Sequence, residues 1–173
     1  MLNAKGEMTP EVLCSLHLAD LKINLSQACK SVESIVVWDR YIYSSATSIK
    51  LRGARPSTWR IILDEFPRPD LVILLSSNAE LCYERIKGRG GVTFFECGLD
   101  MFYRGSRLPD AIAAFESGRV CQDLQKASFI NFMTDWNDSL LELTKDENRI
   151  ILRDFHLNDF ENVIDGIIDS IMG

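Results

Sequence analysis

Arg68-Pro69-Asp70-Leu71-Val72-Ile73-Leu74-Leu75-Ser76-Ser77-Asn78-Ala79-Glu80 is the stretch that decides the fold of this 173-residue chain. Pro67 and Pro69 stop the helix read over 57–66. The unbroken apolar run from Leu71 to Leu75 then reads as a strand over 70–76, buried on both faces. Ser77-Asn78-Ala79-Glu80 is a capping-box pattern and opens a helix to about residue 89. Gly88, Gly90 and Gly91 end it.

The same grammar repeats outward. Residues 34–38, Ser-Ile-Val-Val-Trp, form a short β-branched run that predicts a second buried strand, cut off by Asp39-Arg40. Residues 149–153 predict a third. Thr9-Pro10-Glu11 has an N-cap residue, a proline at the first helical position and an acid in the first turn, so a helix runs from 9 to about 30. It is apolar on more than one side and is expected to be largely buried. Residues 100–146 are mostly helical with a break near Gly118, and Asn158-Asp159-Phe160-Glu161 caps a last helix. Its apolar face is Phe160, Val163, Ile164, Ile167, Ile168 and Ile171. Helices alternating with apolar strands predict an α/β fold, a parallel sheet flanked by helices. Ligands of such sheets collect outside the carboxyl ends of the strands. Asp39-Arg40 holds that place after 34–38.

Composition narrows the function. Hydrophobic residues make up 46% and charged residues 25%, as in ordinary globular proteins. The length suits one domain, residues 1–173. No apolar run approaches the ~20 residues of a membrane span. A net charge of −6 argues against nucleic acid as the main partner. Five cysteines at 14, 29, 82, 97 and 121 contain no C-x-x-C, and two histidines at 17 and 156 are too few for a His-rich metal site. Residues 1–9 lack the apolar stretch of a signal peptide, so the expected compartment is the cytoplasm.

Three places can carry chemistry. Asp39-Arg40-Tyr41 sets an acid, a base and a phenol at one sheet edge: Arg40 can hold a phosphate bidentately and Asp39 can orient water or Mg²⁺, or the pair simply caps the edge. Ser44, Ser45, Thr47, Ser48, Lys50, Arg52 and Arg55 follow in a predicted loop; they suit a phosphate, but an ordinary solvated loop is the preferred reading. Arg85, Lys87 and Arg89 beside the glycines either close over a polyphosphate as a lid, around 86–98, or favour the helix dipole. Phe94-Phe95 and Phe102-Tyr103 can stack a base, although core or lid packing is the more ordinary role for them. His17, in an apolar helix, reads as a packing histidine.

Four segments in order resemble thymidylate kinases. Val36-Val37-Trp38-Asp39-Arg40-Tyr41 with Ser44-Ser45 resembles their D-R-Y…S-S segment, and Arg68-Pro69-Asp70-Leu71 their R-P-D-L strand. The run from Glu80 to Arg89 is similar to the helix leading into their lid, and Phe95-Glu96-Cys97-Gly98-Leu99 to the F-E-x-x-L after it. The resemblance covers 9–99 well and the rest loosely. It implies a P-loop NTPase three-layer fold and transfer of the ATP γ-phosphoryl to dTMP or a related nucleoside monophosphate, with Mg²⁺, in nucleotide biosynthesis. It also implies roles. Asp39 orients the metal shell, and Arg40 binds the acceptor phosphate with Tyr41, Ser44 and Ser45. His17 occupies the base-stacking position. Arg89, helped by Arg85 and Lys87, neutralises charge from the lid.

The departures are equally specific. No G-x-x-x-x-G-K-S/T occurs in the 173 residues, so the sequence reads as a thymidylate-kinase-like domain truncated at its N-terminus. The family's base-reading Arg falls at Leu21, its Gln near Ile49, and the Arg before F-E at Phe94. A non-catalytic nucleotide-binding or interaction protein is therefore the alternative to a kinase. In the family, the strand carrying the phosphate loop lies between the strands that correspond to 34–38 and 70–76. Without it, these two either pair directly, with 149–153 at one edge, or another chain fills the slot as a homodimer or partner, since each buried unpaired backbone group costs roughly 1–3 kcal/mol.

Overall fold

The structure is a computed structural model that describes residues 9–30, 35–102, 107–154 and 165–167. Helix α1 spans Pro10–Ala28, α2 Ile42–Leu51, α3 Pro56–Glu65 and α4 Ala79–Lys87; α5 spans Arg107–Glu116 and α6 Gln122–Leu143. The strands are β1, Val72–Ser76, and β2, Arg149–Arg153, and a 3₁₀ turn covers Leu99–Met101.

The α/β reading holds. β1 and β2 pair in parallel, with Val72 opposite Arg149 and Ser76 opposite Arg153. Asn148 locks the entry: its carbonyl accepts from the Val72 N–H at 2.9 Å, and its side-chain amide donates to the Asp70 carbonyl at 3.1 Å. α4 starts where the sequence places it, but Asn78 is the capping residue and Ser77 is not; Asn78 Oδ1 accepts from the N–H groups of Glu80 at 2.8 Å and Leu81 at 3.3 Å. Thr9 caps α1 as expected, accepting from the Val12 N–H at 3.3 Å.

Four expectations need correction. The segment 35–38 is not a strand, and residue 34 lies outside the described residues. A strand exists only where a neighbour completes its ladder, and among the described residues the sheet is β1 and β2 alone. The expected direct pairing of 34–38 with 70–76 is therefore absent, and Val37 is 91% exposed. Second, β1 is not covered on both faces. Val72 and Leu74 are buried while Ile73 and Leu75 are exposed, Leu75 at 65%, the alternation of a sheet with one open face. Third, the serine stretch is helix α2 rather than a loop. Ile42, Ala46 and Ile49, at i, i+4 and i+7, are fully buried and anchor it. Fourth, α1 buries only Cys14 and Leu21 among its residues, because α2 and α3 cover one side and leave Val12, Leu16 and Ile23 exposed. The last predicted helix lies mostly outside the described residues; 165–167 are helical and Ile167 is buried.

Two apolar clusters result. The first joins α1, α2, α3 and β1 through Leu21, Ile42, Ile49, Ile62, Val72 and Leu74. The second joins α4, the segment after it, α5 and α6 through Tyr83, Phe94, Cys97, Leu99, Phe115 and Phe129. α6, at 22 residues or roughly 33 Å, reaches both. Its C-terminal half meets α2 through a Thr47–Ser139 hydroxyl contact of 3.5 Å and a Lys50–Glu142 ion pair.

Candidate functional site

The first core presents one conspicuous turn. Trp38 and Tyr41 pack ring to ring, centroids 4.8 Å apart, and the Tyr41 hydroxyl donates to the Pro67 carbonyl at 3.1 Å. Burial raises the Tyr41 pKa above the ordinary phenol value, with a smaller contribution from Cys29, so the phenol stays a neutral donor. Held between these rings, Asp39 and Arg40 are exposed, and Arg40 has φ +59°. A non-glycine residue in the left-handed region is uncommon and is held there by its surroundings. The other one among the described residues is Asp154, φ +48°, just past β2. Its N–H donates to the Ser76 carbonyl at 2.9 Å and its Oδ1 accepts from the Asn78 N–H at 3.2 Å. One strained residue thus follows segment 35–38, and the other lies at the carboxyl edge of the sheet, where α/β folds bind ligands.

Tyr41 is also the N-cap of α2, so its first turn follows directly from Arg40. Ser44 is half-buried there; Ser45 is buried, turned toward the core. Asp39, Arg40, Tyr41 and Ser44 are therefore brought together at one helix start. The other end of α2 carries Arg52, one of the polar residues read from the sequence as a solvated loop. Arg52 Nε contacts Asp100 Oδ2 at 2.7 Å, and Arg52 Nη1 donates to the Ser48 carbonyl at 3.1 Å and to Ser48 Oγ at 2.9 Å. His17 belongs with this end: burial lowers its imidazole pKa, Asp20 opposes that, and the Arg52 charge adds to it.

Arg85 and Lys87 are exposed on the last turns of α4, and Arg89 in the turn after it. α4 separates them in the chain from the carboxyl end of β1. Beyond the glycines, Thr93 and Glu96 cap each other, at 2.8 and 3.2 Å. Phe94 and Cys97 then sink into the second core, while Phe95 and Phe102 stay exposed; Tyr103 lies outside the described residues. The positions of the family's base-reading Arg, its Gln and the Arg before F-E are absorbed the same way: Leu21, Ile49 and Phe94 are all core.

The family model for thymidylate kinase matches residues 1–121, most of the chain. The chain belongs to the thymidylate kinase family. The family implies a P-loop NTPase-like fold, and the parallel β1–β2 pair flanked by helices fits one. A "Probable thymidylate kinase" of Archaeoglobus fulgidus is 31% identical over 99 residues, 54% of this chain and 50% of that protein. "Probable thymidylate kinase 1" of Saccharolobus solfataricus is 31% identical over 83 residues, covering 47% and 44%. The corresponding protein of Pyrococcus horikoshii is 43% identical over 63 residues, covering 36% and 30%. The chain thus spans half or less of the length of these relatives. No helix among the described residues is long and apolar enough to cross a membrane.

Proposed function

We propose that the chain binds a nucleoside monophosphate at the turn before α2 and serves as the acceptor side of a nucleotide kinase that works on dTMP or a related monophosphate, in the cytoplasm. One observation carries this reading: in a thymidylate kinase family chain, Arg40 is held exposed in a left-handed turn, pinned by Trp38 and Tyr41, directly before a helix N-terminus. An exposed guanidinium beside free helix N–H groups is suited to a phosphate. On this reading Arg40 takes the acceptor phosphate, Tyr41 and Ser44 border it, and His17 packs beside the nucleoside. Arg85, Lys87 and Arg89 screen phosphate charge from a lid over 86–98.

Mg²⁺ in such reactions neutralises charge on the transferring phosphates. Asp39 fits it as a single carboxylate, because Mg²⁺ is commonly held by one or two carboxylates completed by phosphates and water. The described residues include no group of three or more His, Cys, Asp or Glu able to cage an ion by themselves. The donor side does not fit: the 173 residues contain no glycine-lined phosphate loop with its lysine, so no step is assigned to ATP on this chain.

The second reading, a non-catalytic nucleotide-binding or interaction protein, is favoured by Leu21, Ile49 and Phe94, buried apolar residues at or near the positions of the family's base-reading Arg, its Gln and the Arg before F-E. Either reading leaves the edge of β1 away from β2, unpaired among the described residues, and the apolar segment 35–38 for a strand of a second copy or a partner chain. Titration calorimetry of the chain with dTMP, dUMP, dCMP, dAMP and dGMP tests the shared premise. Saturable binding of at least one supports it, and no heat from any of them overturns it. An ADP-release assay on the binders separates the two readings.

A further inference from the structure

The Arg68-Pro69-Asp70 stretch that leads into β1 has no part in the phosphate reading, yet it lies against the start of α2. Pro67 and Pro69 stiffen it. Each fixes its own φ at about −65° and holds the residue before it extended, as at Phe66, φ −118° and ψ 149°. Both ends are tied down. Phe66 is buried in the first core, and the Asp70 carbonyl accepts from the Asn148 side chain. Between them, Arg68 Nη1 donates to Glu147 Oε1 at 2.9 Å, just before β2.

This segment meets the Arg40 turn through two phenols. The Pro67 carbonyl accepts from the Tyr41 hydroxyl at 3.1 Å, and Arg68 Nη1 donates to the Tyr43 hydroxyl at 3.3 Å. Tyr43 is 4% exposed. Burial, more than Glu147 or Arg68, sets its pKa, pushed up to about 12, so the hydroxyl is neutral and can accept. Arg40 precedes Tyr41 directly, in the left-handed conformation. Segment 35–38 on its other side pairs with no strand among the described residues, so no ladder holds the turn from there. Side-chain contacts take the ladder's place: Trp38 on Tyr41, Tyr41 on Pro67 and Tyr43 on Arg68. A turn already held in one conformation binds more tightly, because less ordering remains to be done on binding.

We propose that Arg68 is a positioning residue for Arg40. By holding Tyr43 to the 67–70 segment it fixes the first turn of α2 and, through Tyr41, the direction in which Arg40 presents its guanidinium. Arg68 acts on the phosphate only through that turn. The proposal rests on the nucleotide-binding reading above.

The test is calorimetric titration of the wild type, Tyr43→Phe and Arg68→Met, each variant alone and combined with Arg40→Ala. The ligands are dTMP, dUMP, dCMP, dAMP and dGMP, with the nucleoside that matches the tightest of them. Tyr43→Phe deletes the hydroxyl and keeps the buried ring; Arg68→Met removes the donors. Each is expected to weaken the monophosphate roughly three- to tenfold, the worth of one hydrogen bond, and to leave the nucleoside unchanged. In the Arg40→Ala background the same substitutions should have no effect, since the residue they position is gone. If Arg68→Met does not fold, Tyr43→Phe decides alone. Unchanged monophosphate affinity, with only the melting temperature lowered, overturns the proposal. So does a loss that persists without Arg40, or one shared equally by the nucleoside, as a general structural defect would give. A wild type that binds none of the monophosphates overturns the nucleotide reading itself, a distinct result.

Discussion

Replacing Gly98 with alanine should destabilise the protein by two separable amounts. Gly98 is the N-cap of the 3₁₀ turn that carries Asp100 and has φ +65°. An L-residue in that conformation costs about 1–2 kcal/mol. A Cβ there would also lie 2.7 and 2.8 Å from Phe132 ring carbons and 3.1 Å from Met101 Cε. That is about 0.8 Å inside a normal carbon contact of about 3.5 Å. Phe132 is buried and packs against Trp136, ring centroids 5.6 Å apart and planes tilted by 60°, so its ring has little room to move. Overpacking of this kind costs roughly 1–3 kcal/mol. The sum, about 2–5 kcal/mol, is a large share of a typical total of about 5–15 kcal/mol. At roughly 2–4 °C per kcal/mol for a chain of this size, Tm should fall by about 4–20 °C. Gly118→Ala is the control: φ is +72° but nothing lies within 4 Å of its Cβ, so it carries the backbone cost alone. Thermal melts of both variants, followed by circular dichroism, separate the terms. A Gly98→Ala melt at or above that of Gly118→Ala would refute the claimed approach of the turn to α6.

Burial lowers the His17 pKa, so the unfolded chain takes up the proton more readily. Stability is therefore fully present above the ordinary histidine pKa of about 6.5 and is lost as pH falls below it. Between pH 7.5 and 5.5, Tm should fall further in the wild type than in His17→Gln; equal falls would remove His17 as the cause. Among the cysteines, Cys29 and Cys121 are exposed, Cys14 and Cys97 are buried, and burial pushes the Cys97 thiol up to about 11. A thiol reagent at neutral pH should therefore label Cys29 and Cys121 first and reach Cys14 and Cys97 only on unfolding, as read by peptide mass spectrometry. Fast labelling of Cys97 in the folded chain would contradict the second core. The 173-residue polypeptide, having no phosphate-loop lysine, should turn over ATP far below the usual kinase range of about 1–100 s⁻¹; a rate inside that range would show that another group takes the lysine's place.

Local signals carried the sequence reading where they were sufficient. β1, α4, the break at Gly118 and β2 each announce themselves through an apolar run, a cap or a glycine, and all stand where the pattern places them. α2 was hidden because its six buried residues include Ser45 and Thr47, and hydroxyls mask a helical series that Ile42, Ala46 and Ile49 still spell out. Segment 35–38 has the composition of a strand, but composition cannot supply the neighbouring backbone that makes one. The Arg52–Asp100 pair joins residues 48 apart in sequence, so no spacing rule could have found it. Arg40 and Tyr41 were legible as chemistry; the left-handed turn that presents Arg40 was not.

The central claim is that Arg40 holds a nucleotide phosphate. Titration of the wild type and Arg40→Ala with the tightest-binding monophosphate, and with the matching nucleoside that lacks the phosphate, tests it most directly. A charge-assisted contact is worth about 1.5–3 kcal/mol, so Arg40→Ala should weaken the monophosphate by roughly 10- to 150-fold and leave the nucleoside unchanged. Equal monophosphate affinity in the two proteins, with the fold intact by circular dichroism, would contradict the account.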